Sequence, residues 1–261
     1  MLSYARLLHT ILFLFLAQAP APAATAPAVA RVWDGRPAEY EEFLRTAPIE
    51  RVEMIPLGVT RPRRAFFAPG GLARSAAWKP LRPSYQGGWF ESYKSEIAAY
   101  ELDKLLGLGM VPPTIERTYQ RETGALVLWL EGVKSWEQAL ALPKPDSWSR
   151  QLARMKLFDD LIGNPDDNKG NLLVDGEWNL YLIDHSRSFM EDRNMLPQKL
   201  DHVETALWEK MAALDEPGLK AALGAWLSDK QIRAMLARRD RMKTTIDDLV
   251  KKNGKRAVFV W

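Results

Sequence analysis

The chain has 261 residues, 47% of them hydrophobic and 26% charged, with a formal net charge of +3 and no cysteine. That composition is globular, with enough material for one two-lobed domain or two small ones. It excludes a disulfide framework, a thiolate metal site and a cysteine nucleophile, and a balance this close to neutral does not announce a nucleic-acid binder.

The chain opens on a leader pattern. Arg6 precedes an apolar run from Leu7 to Ala17, and Ala-x-Ala steps follow at Ala17-Gln18-Ala19 and Ala21-Pro22-Ala23. This reads as a secretory signal peptide too short to span a bilayer comfortably. Residues 1–30 are therefore expected to be a signal peptide with an Ala/Pro spacer, and no stable transmembrane span is expected. An uncleaved, membrane-associated N-terminus is the alternative. Export without cysteine fits a bacterial periplasm or secretion from a bacterium better than a small eukaryotic secreted domain, which often depends on disulfides.

Strands are expected over residues 51–60, 64–67 and 74–79, separated by turns at Gly58 and Gly70-Gly71. A helix is expected over 92–106, where Ala98, Leu102, Leu105 and Leu106 form one stripe. Gly107, Gly109 and Pro112-Pro113 end it. Residues 114–119 and 125–130 read as a strand pair. From Trp148 to the Gly163-Asn164-Pro165 break the chain reads as helix, as do 203–214, 217–227 and 229–252. Ser228-x-x-Gln231 is a capping box for the last of these. Its cations Lys230, Arg233, Arg238, Arg239, Arg241 and Lys243 read as a solvated face. A β-rich half followed by a helix-rich half predicts an α+β, two-lobed chain, with an N-lobe over 31–132 and a C-lobe over 133–261.

The most informative stretch lies between the helices. Asn164-Pro165-Asp166-Asp167-Asn168-Lys169-Gly170-Asn171 leads into an apolar run at 172–174, an Asp175-Gly176 turn and a second run at 177–183. Asp184-His185-Ser186 follows. A two-residue Asp-Gly turn pairs Val174 with Glu177 and Leu172 with Asn179. The second strand then runs beyond the first and brings Asp184 alongside the preceding loop. Asp166, Asn171 and Asp184 converge at one end of the ribbon. Oxygens from Asn171 and Asp184 suit a hard cation such as Mg²⁺ that also binds phosphate. The competing reading is an ordinary polar turn.

Upstream, Trp78-Lys79-Pro80 ends a predicted strand, and Glu96 lies in the helix within Ser95-Glu96-Ile97-Ala98-Ala99-Tyr100. Leu106-Gly107 and Val111-Pro112-Pro113-Thr114 follow. With the Asp166, Asn171 and Asp184 spacing, this series resembles the atypical kinases of the protein-kinase-like superfamily. The relevant branch holds phosphatidylinositol 3/4-kinases, HipA-type kinases and the secretory-pathway Golgi casein kinases, and the likeness is greatest to its small bacterial members. It covers about residues 50–190.

The resemblance implies a small β-rich N-lobe with one helix, a mostly helical C-lobe, and ATP with Mg²⁺ (Mn²⁺ as the alternative) between them. It assigns Lys79 to the phosphates, Glu96 to holding Lys79, Asp166 to the base, and Asn171 and Asp184 to the metal. Gly58-Val59-Thr60 falls where the family has its phosphate-covering turn. Trp129 or Leu130, in the connector between lobes, would line the adenine pocket, with core packing as the competing role. One departure matters. Phosphatidylinositol-type kinases have D-R-H-x-x-N, whereas Asp167 and Asn168 stand at the Arg and His positions here, which weighs against a lipid acceptor. Lys169 either neutralises the transferring phosphoryl group or is a solvated turn lysine. The expectation is phosphoryl transfer from ATP to a hydroxyl, on a protein Ser/Thr or a small molecule. The alternative is a nucleotide-binding pseudokinase or an AMP-transferring relative.

Overall fold

The computed structural model describes residues 31–55, 62–86, 88–165, 169–194 and 200–261. The leader, the Gly58-Val59-Thr60 turn and Asp166 to Asn168 lie outside these residues.

The first element, α1 (Pro37–Thr46), starts on a proline that needs no hydrogen-bond donor there, and it buries Tyr40 and Leu44 one turn apart. Three strands follow: β1 (Ile49–Met54), β2 (Arg63–Phe67) and β3 (Ser75–Lys79). A small hairpin, β4 (Ser84–Gln86) and β5 (Trp89–Glu91), leads into α2 (Tyr93–Leu106). Ser92 caps α2 by accepting a hydrogen bond from the Lys94 N–H, and Gly107 ends it at φ 62°. The helix edges fall where the sequence places them. α1 and the β4–β5 hairpin have no counterpart in the sequence reading.

β6 (Thr114–Tyr119) and β7 (Glu122–Leu128) complete an antiparallel sheet of order β1-β2-β3-β7-β6. Strand alternation gives the sheet two faces. Ala76 and Trp78 of β3 pack with Tyr40 and Leu44 of α1, whereas Ala77 joins Tyr93 and Ile97 of α2 with Ala125 and Val127. Lys79 therefore points to the α2 side. Gly124 is required on β7: a Cβ there would lie 2.5 Å from both the Lys79 carbonyl oxygen and Pro80 Cα.

The remaining chain is mostly helical. β8 (Lys134–Ser135) and α3 (Trp136–Leu140) precede α4 (Ser147–Ile162). β9 (Leu172–Val174) and β10 (Leu180–Leu182) form a three-stranded sheet with β8. β10 stands between the larger core and the core under α1. Leu180 and Leu182 belong to the larger core with Leu157, Phe158 and Met235, while Tyr181 belongs to the core under α1.

The segment expected as one helix over 203–214 instead begins with β11 (Val203–Glu204), which precedes α5 (Thr205–Ala212). The cause is Glu204, extended at ψ 115°, whose carboxylate caps α5 by accepting from the Leu207 N–H. α6 (Glu216–Leu223) and α7 (Asp229–Asn253) follow, the latter with its Ser228–Gln231 capping box formed as expected. A final turn, α8 (Lys255–Val258), delivers β12 (Phe259–Val260) to pair in parallel with β11.

The solvated-face reading of α7 is corrected at Arg238, which is buried. Its Nε donates to the Leu161 carbonyl at 3.0 Å and its Nη1 to the Met190 carbonyl at 3.2 Å. Leu161 lies in the last turn of α4, so the guanidinium satisfies a helix-end carbonyl and opposes the negative end of the dipole. Burial lowers its pKa to about 10. Gly163, at φ 61°, closes α4 against the same group, and a Cβ there would lie 2.9 Å from it.

Candidate active site

The hairpin that carries Asp184 has a different register from the one its sequence suggests. Val174 pairs with Leu180 and Leu172 with Leu182, rather than with Glu177 and Asn179. The cause is Asp175. Its Oδ1 accepts from the N–H groups of Glu177 and Asn179, both at 2.9 Å, and its Oδ2 from Tyr181 Oη at 2.7 Å. A carboxylate that captures those N–H groups widens the turn, and Trp178 takes φ 63° to complete it. Of the convergence expected at the ribbon's end, Asp166 lies outside the described residues, and the Asn171–Asp184 part is seen. The Ile183 N–H donates to the Asn171 carbonyl at 3.1 Å, which sets Asn171 beside the residue preceding Asp184.

Lys79, Glu96 and Asp184 meet from three elements. Lys79 Nζ donates to Glu96 Oε1 at 2.6 Å and to Asp184 Oδ1 at 2.9 Å. Lys79 and Glu96 are buried, whereas the Asp184 side chain keeps 29% of its surface open, enough for a ligand to reach it. Asp184 takes φ 65°, a left-handed conformation that aspartate tolerates better than most side chains.

The charges do not balance: one ammonium faces two carboxylates. Burial works against the Lys79 charge, but Asp184 and Glu96 outweigh it and hold the lysine above its usual pKa. Lys79 holds Asp184 below the usual carboxylate range against the opposing effect of burial. Burial pushes Glu96 upward and Lys79 opposes it.

The segment after Asp184 is stitched to the start of α2. The His185 N–H donates to Glu96 Oε2 at 3.1 Å, so Glu96 serves Lys79 with one oxygen and this segment with the other. The Ser92 N–H donates to the Ser186 carbonyl at 2.9 Å, and Ser95 Oγ to the Ser188 carbonyl at 3.2 Å. Arg187 Nε donates to Glu91 Oε1 at 2.7 Å. Sequence reading missed Arg187 and Glu91. The signal available was a charged residue three places after Asp184 and another just before the helix. The His185 ring is buried and edge-on to Phe158. Burial, with Lys79 adding to it, lowers its pKa to about 3, so it is a neutral packing group at ordinary pH.

The connector residues part company. Leu130 packs with the core under α1. Trp129 continues the β3–β7 pairing through a 3.3 Å hydrogen bond to the Ser75 carbonyl. Its ring lies 4.1 Å from the Arg64 guanidinium. Arg64 pairs across the sheet with Ala77, on the face that carries Lys79. It donates to Ser75 Oγ at 2.9 Å and to Glu131 Oε1 at 2.7 Å.

The chain matches no protein-family model and no curated protein. Solved structures do resemble it. The Golgi casein kinase with Mn/ADP bound superposes with a TM-score of 0.66 at 15% identity, over 87% of this chain and 79% of that one. Fam20 from hydra, solved with sugar, gives 0.68 at 16% identity, over 91% and 95%. The Helicobacter pylori proinflammatory kinase CtkA gives 0.53 at 13% identity, over 81% and 97%. The fold is therefore atypical kinase-like: α+β, with a β-sheet lobe and a helical part.

Proposed function

We propose that this protein is a phosphotransferase that moves a phosphoryl group from ATP to a hydroxyl. The observation that carries the reading is the contact of Lys79 with both Glu96 and Asp184, three residues far apart in sequence. A flexible ammonium presents a reproducible charge to phosphate when a buried counter-charge fixes it, and Glu96 supplies that. The donor set fits a metal that shares its coordination with phosphate. Among the described residues no three His, Cys, Asp or Glu side chains cluster into an all-protein cage. One open carboxylate with an asparagine beside it suits Mg²⁺ or Mn²⁺. Asp184 and Asn171 would hold the ion, which when bound neutralises charge on the phosphate oxygens.

In this reading Lys79 contacts the phosphates and Asp166 accepts the acceptor's proton. Gly58-Val59-Thr60 covers the phosphates, and Trp129, backed by Arg64, faces the base. Most of the rate comes from positioning and charge neutralisation. A protein Ser/Thr acceptor is favoured, in keeping with the name of the similar Golgi casein kinase. The leader pattern supports action after export, and no helix among the described residues is long and apolar enough to cross a membrane.

The test is transfer from γ-labelled ATP with Mg²⁺ to dephosphorylated casein and to the protein itself. Asp184→Ala and Lys79→Ala should each lower it by at least about a hundredfold, the scale of losing one charge-stabilising group, while the variants stay folded. An undiminished rate in Asp184→Ala overturns the reading. ATP-Mg²⁺ binding without transfer assigns the pseudokinase alternative, which Asp167 and Asn168 in the catalytic loop favour. Mass analysis of labelled protein separates phosphate from AMP.

A further inference from the structure

A pocket lined by none of Lys79, Glu96 and Asp184 has a volume of about 290 Å³. It is walled by the β4–β5 hairpin through Phe90, by the first turn of α2 through Lys94, and by the α6–α7 loop through Ala225, Trp226, Leu227 and Ser228. That volume sits near the lower end of small-ligand pockets, about 300 Å³. It suits one bulky side chain with its neighbours rather than a nucleotide.

Its chemistry is one-sided. Phe90, Trp226 and Leu227 give it an apolar floor, and no carboxylate among the described residues lines it. Among the described residues Lys94 is the one charged side chain in the wall, and it makes no ion pair with any of them. The nearby acids are already engaged: Glu91 by Arg187, and Asp229 by Lys220 and Arg233. α2 and α7 both begin at this pocket, so their positive ends reinforce Lys94. Beside the pocket Tyr85 pairs across the hairpin with Phe90, their ring centroids 5.4 Å apart, and it is 79% exposed.

We infer that this pocket docks an acidic peptide segment of a partner protein, one bulky apolar side chain entering between Phe90 and Trp226 while flanking carboxylates meet Lys94. Charge complementarity selects an acidic partner, and the exposed Tyr85 ring beside Phe90 supplies contact area next to the anchor. The inference stands apart from the chemistry at Lys79, because binding is read without any transfer assay.

The experiment uses the full chain and an N-acetylated, C-amidated Ala-Asp-Phe-Asp-Ala probe, followed by the indole N–H resonance of Trp226, assigned with Trp226→Phe. Saturable shifts with a Kd of about 1 mM or tighter are expected. Lys94→Glu, a change the first turn of a helix accepts, should weaken binding at least tenfold. Ala225→Trp should fill the pocket and abolish it, with the unfolding midpoint of each variant confirming the fold. Absence of saturable shifts overturns the inference. So does equal binding of probes with Lys for Asp or Ala for Phe, or binding unaffected by Lys94→Glu.

Discussion

Lys79 is wedged between two carboxylates, and the three residues should respond unequally to replacement. Glu96 is buried with the lysine, so Glu96→Ala leaves an ammonium with one partner, that one being partly open to water. Breaking a buried pair from one side costs about 3–5 kcal/mol, and urea denaturation should show a loss on that scale. Lys79→Met removes the charge that needed compensation but leaves Glu96 with the His185 N–H, so the double variant Lys79→Met/Glu96→Ala should be less damaging than the sum of the singles. Gly124→Ala is a backbone test of the same site. With 2.5 Å between the added Cβ and the Lys79 carbonyl, β7 and β3 must separate. The expected result is a loss of about 1–3 kcal/mol, the range for overpacking, together with weaker ATP binding in calorimetry.

Asp103 gives the residue scale a pH dependence. Its carboxylate accepts from the N–H groups of Gly109, Met110 and Val111 at 2.7–2.9 Å. Burial nevertheless raises its pKa to about 6, against the pull of those donors. A folded pKa above the unfolded value means that the native state holds the proton longer. The group's contribution to stability is therefore full below the unfolded pKa, about 3.9, and is lost as pH rises to about 6. Calorimetry in buffers of different ionisation enthalpy should detect proton uptake on folding near pH 5, and Asp103→Asn should remove it.

Among elements, α2 matters most, because it carries Glu96 and is tied to the segment after Asp184 at Ser92, Ser95 and, through Glu91, Arg187. Arg187→Ala should accelerate hydrogen exchange of the amides in the first turn of α2, and Arg187→Lys should restore only part of the protection because it lacks the forked donor. An unchanged exchange pattern in Arg187→Ala would remove the tether from the account. This scale also shows what could be read in advance. α2 announced itself through a long apolar stripe ended by two glycines and a Pro-Pro pair. α1 did not, since Tyr40 and Leu44 make too short a stripe to separate from background. The Asp175-Gly176 pair suggested the wrong turn because it says nothing of a carboxylate that captures two further N–H groups. The partnership of Lys79 and Glu96 was implied by the kinase resemblance, which rested on their order along the chain, and the two are in contact. The burial of Arg238 was invisible because Arg233, Arg241 and Lys243 on the same helix are exposed and the carbonyls it meets belong to α4 and to the segment near residue 190.

At the scale of the molecule, two hydrophobic cores meet on β10, whose successive side chains enter one and then the other. A shared strand makes independent melting of the parts costly, so a single transition is expected by both calorimetry and tryptophan fluorescence. Ligand linkage supplies the complementary measurement. ATP-Mg²⁺ at a hundred times its Kd adds about 2.7 kcal/mol. For a chain of this size that corresponds to a rise in Tm of roughly 5–10 °C, and Asp184→Ala should abolish the rise.

If the proposed phosphotransferase function holds, the hydrogen bond from Lys79 to Asp184 also bears on the order in which nucleotide and cation would load. In the free protein the lysine already serves as the counter-ion of the carboxylate, so ATP arriving alone must compete for an ammonium that is engaged, while adding negative charge to a site that carries an excess of it. A cation arriving with the nucleotide would halve the charge it brings, and would give Asp184 a partner other than Lys79, leaving the lysine available to phosphate. The resting contact would then favour the metal–nucleotide complex over the bare nucleotide. Its signature would be kinetic, with association in stopped-flow measurements that tracks the concentration of MgATP and not that of total ATP.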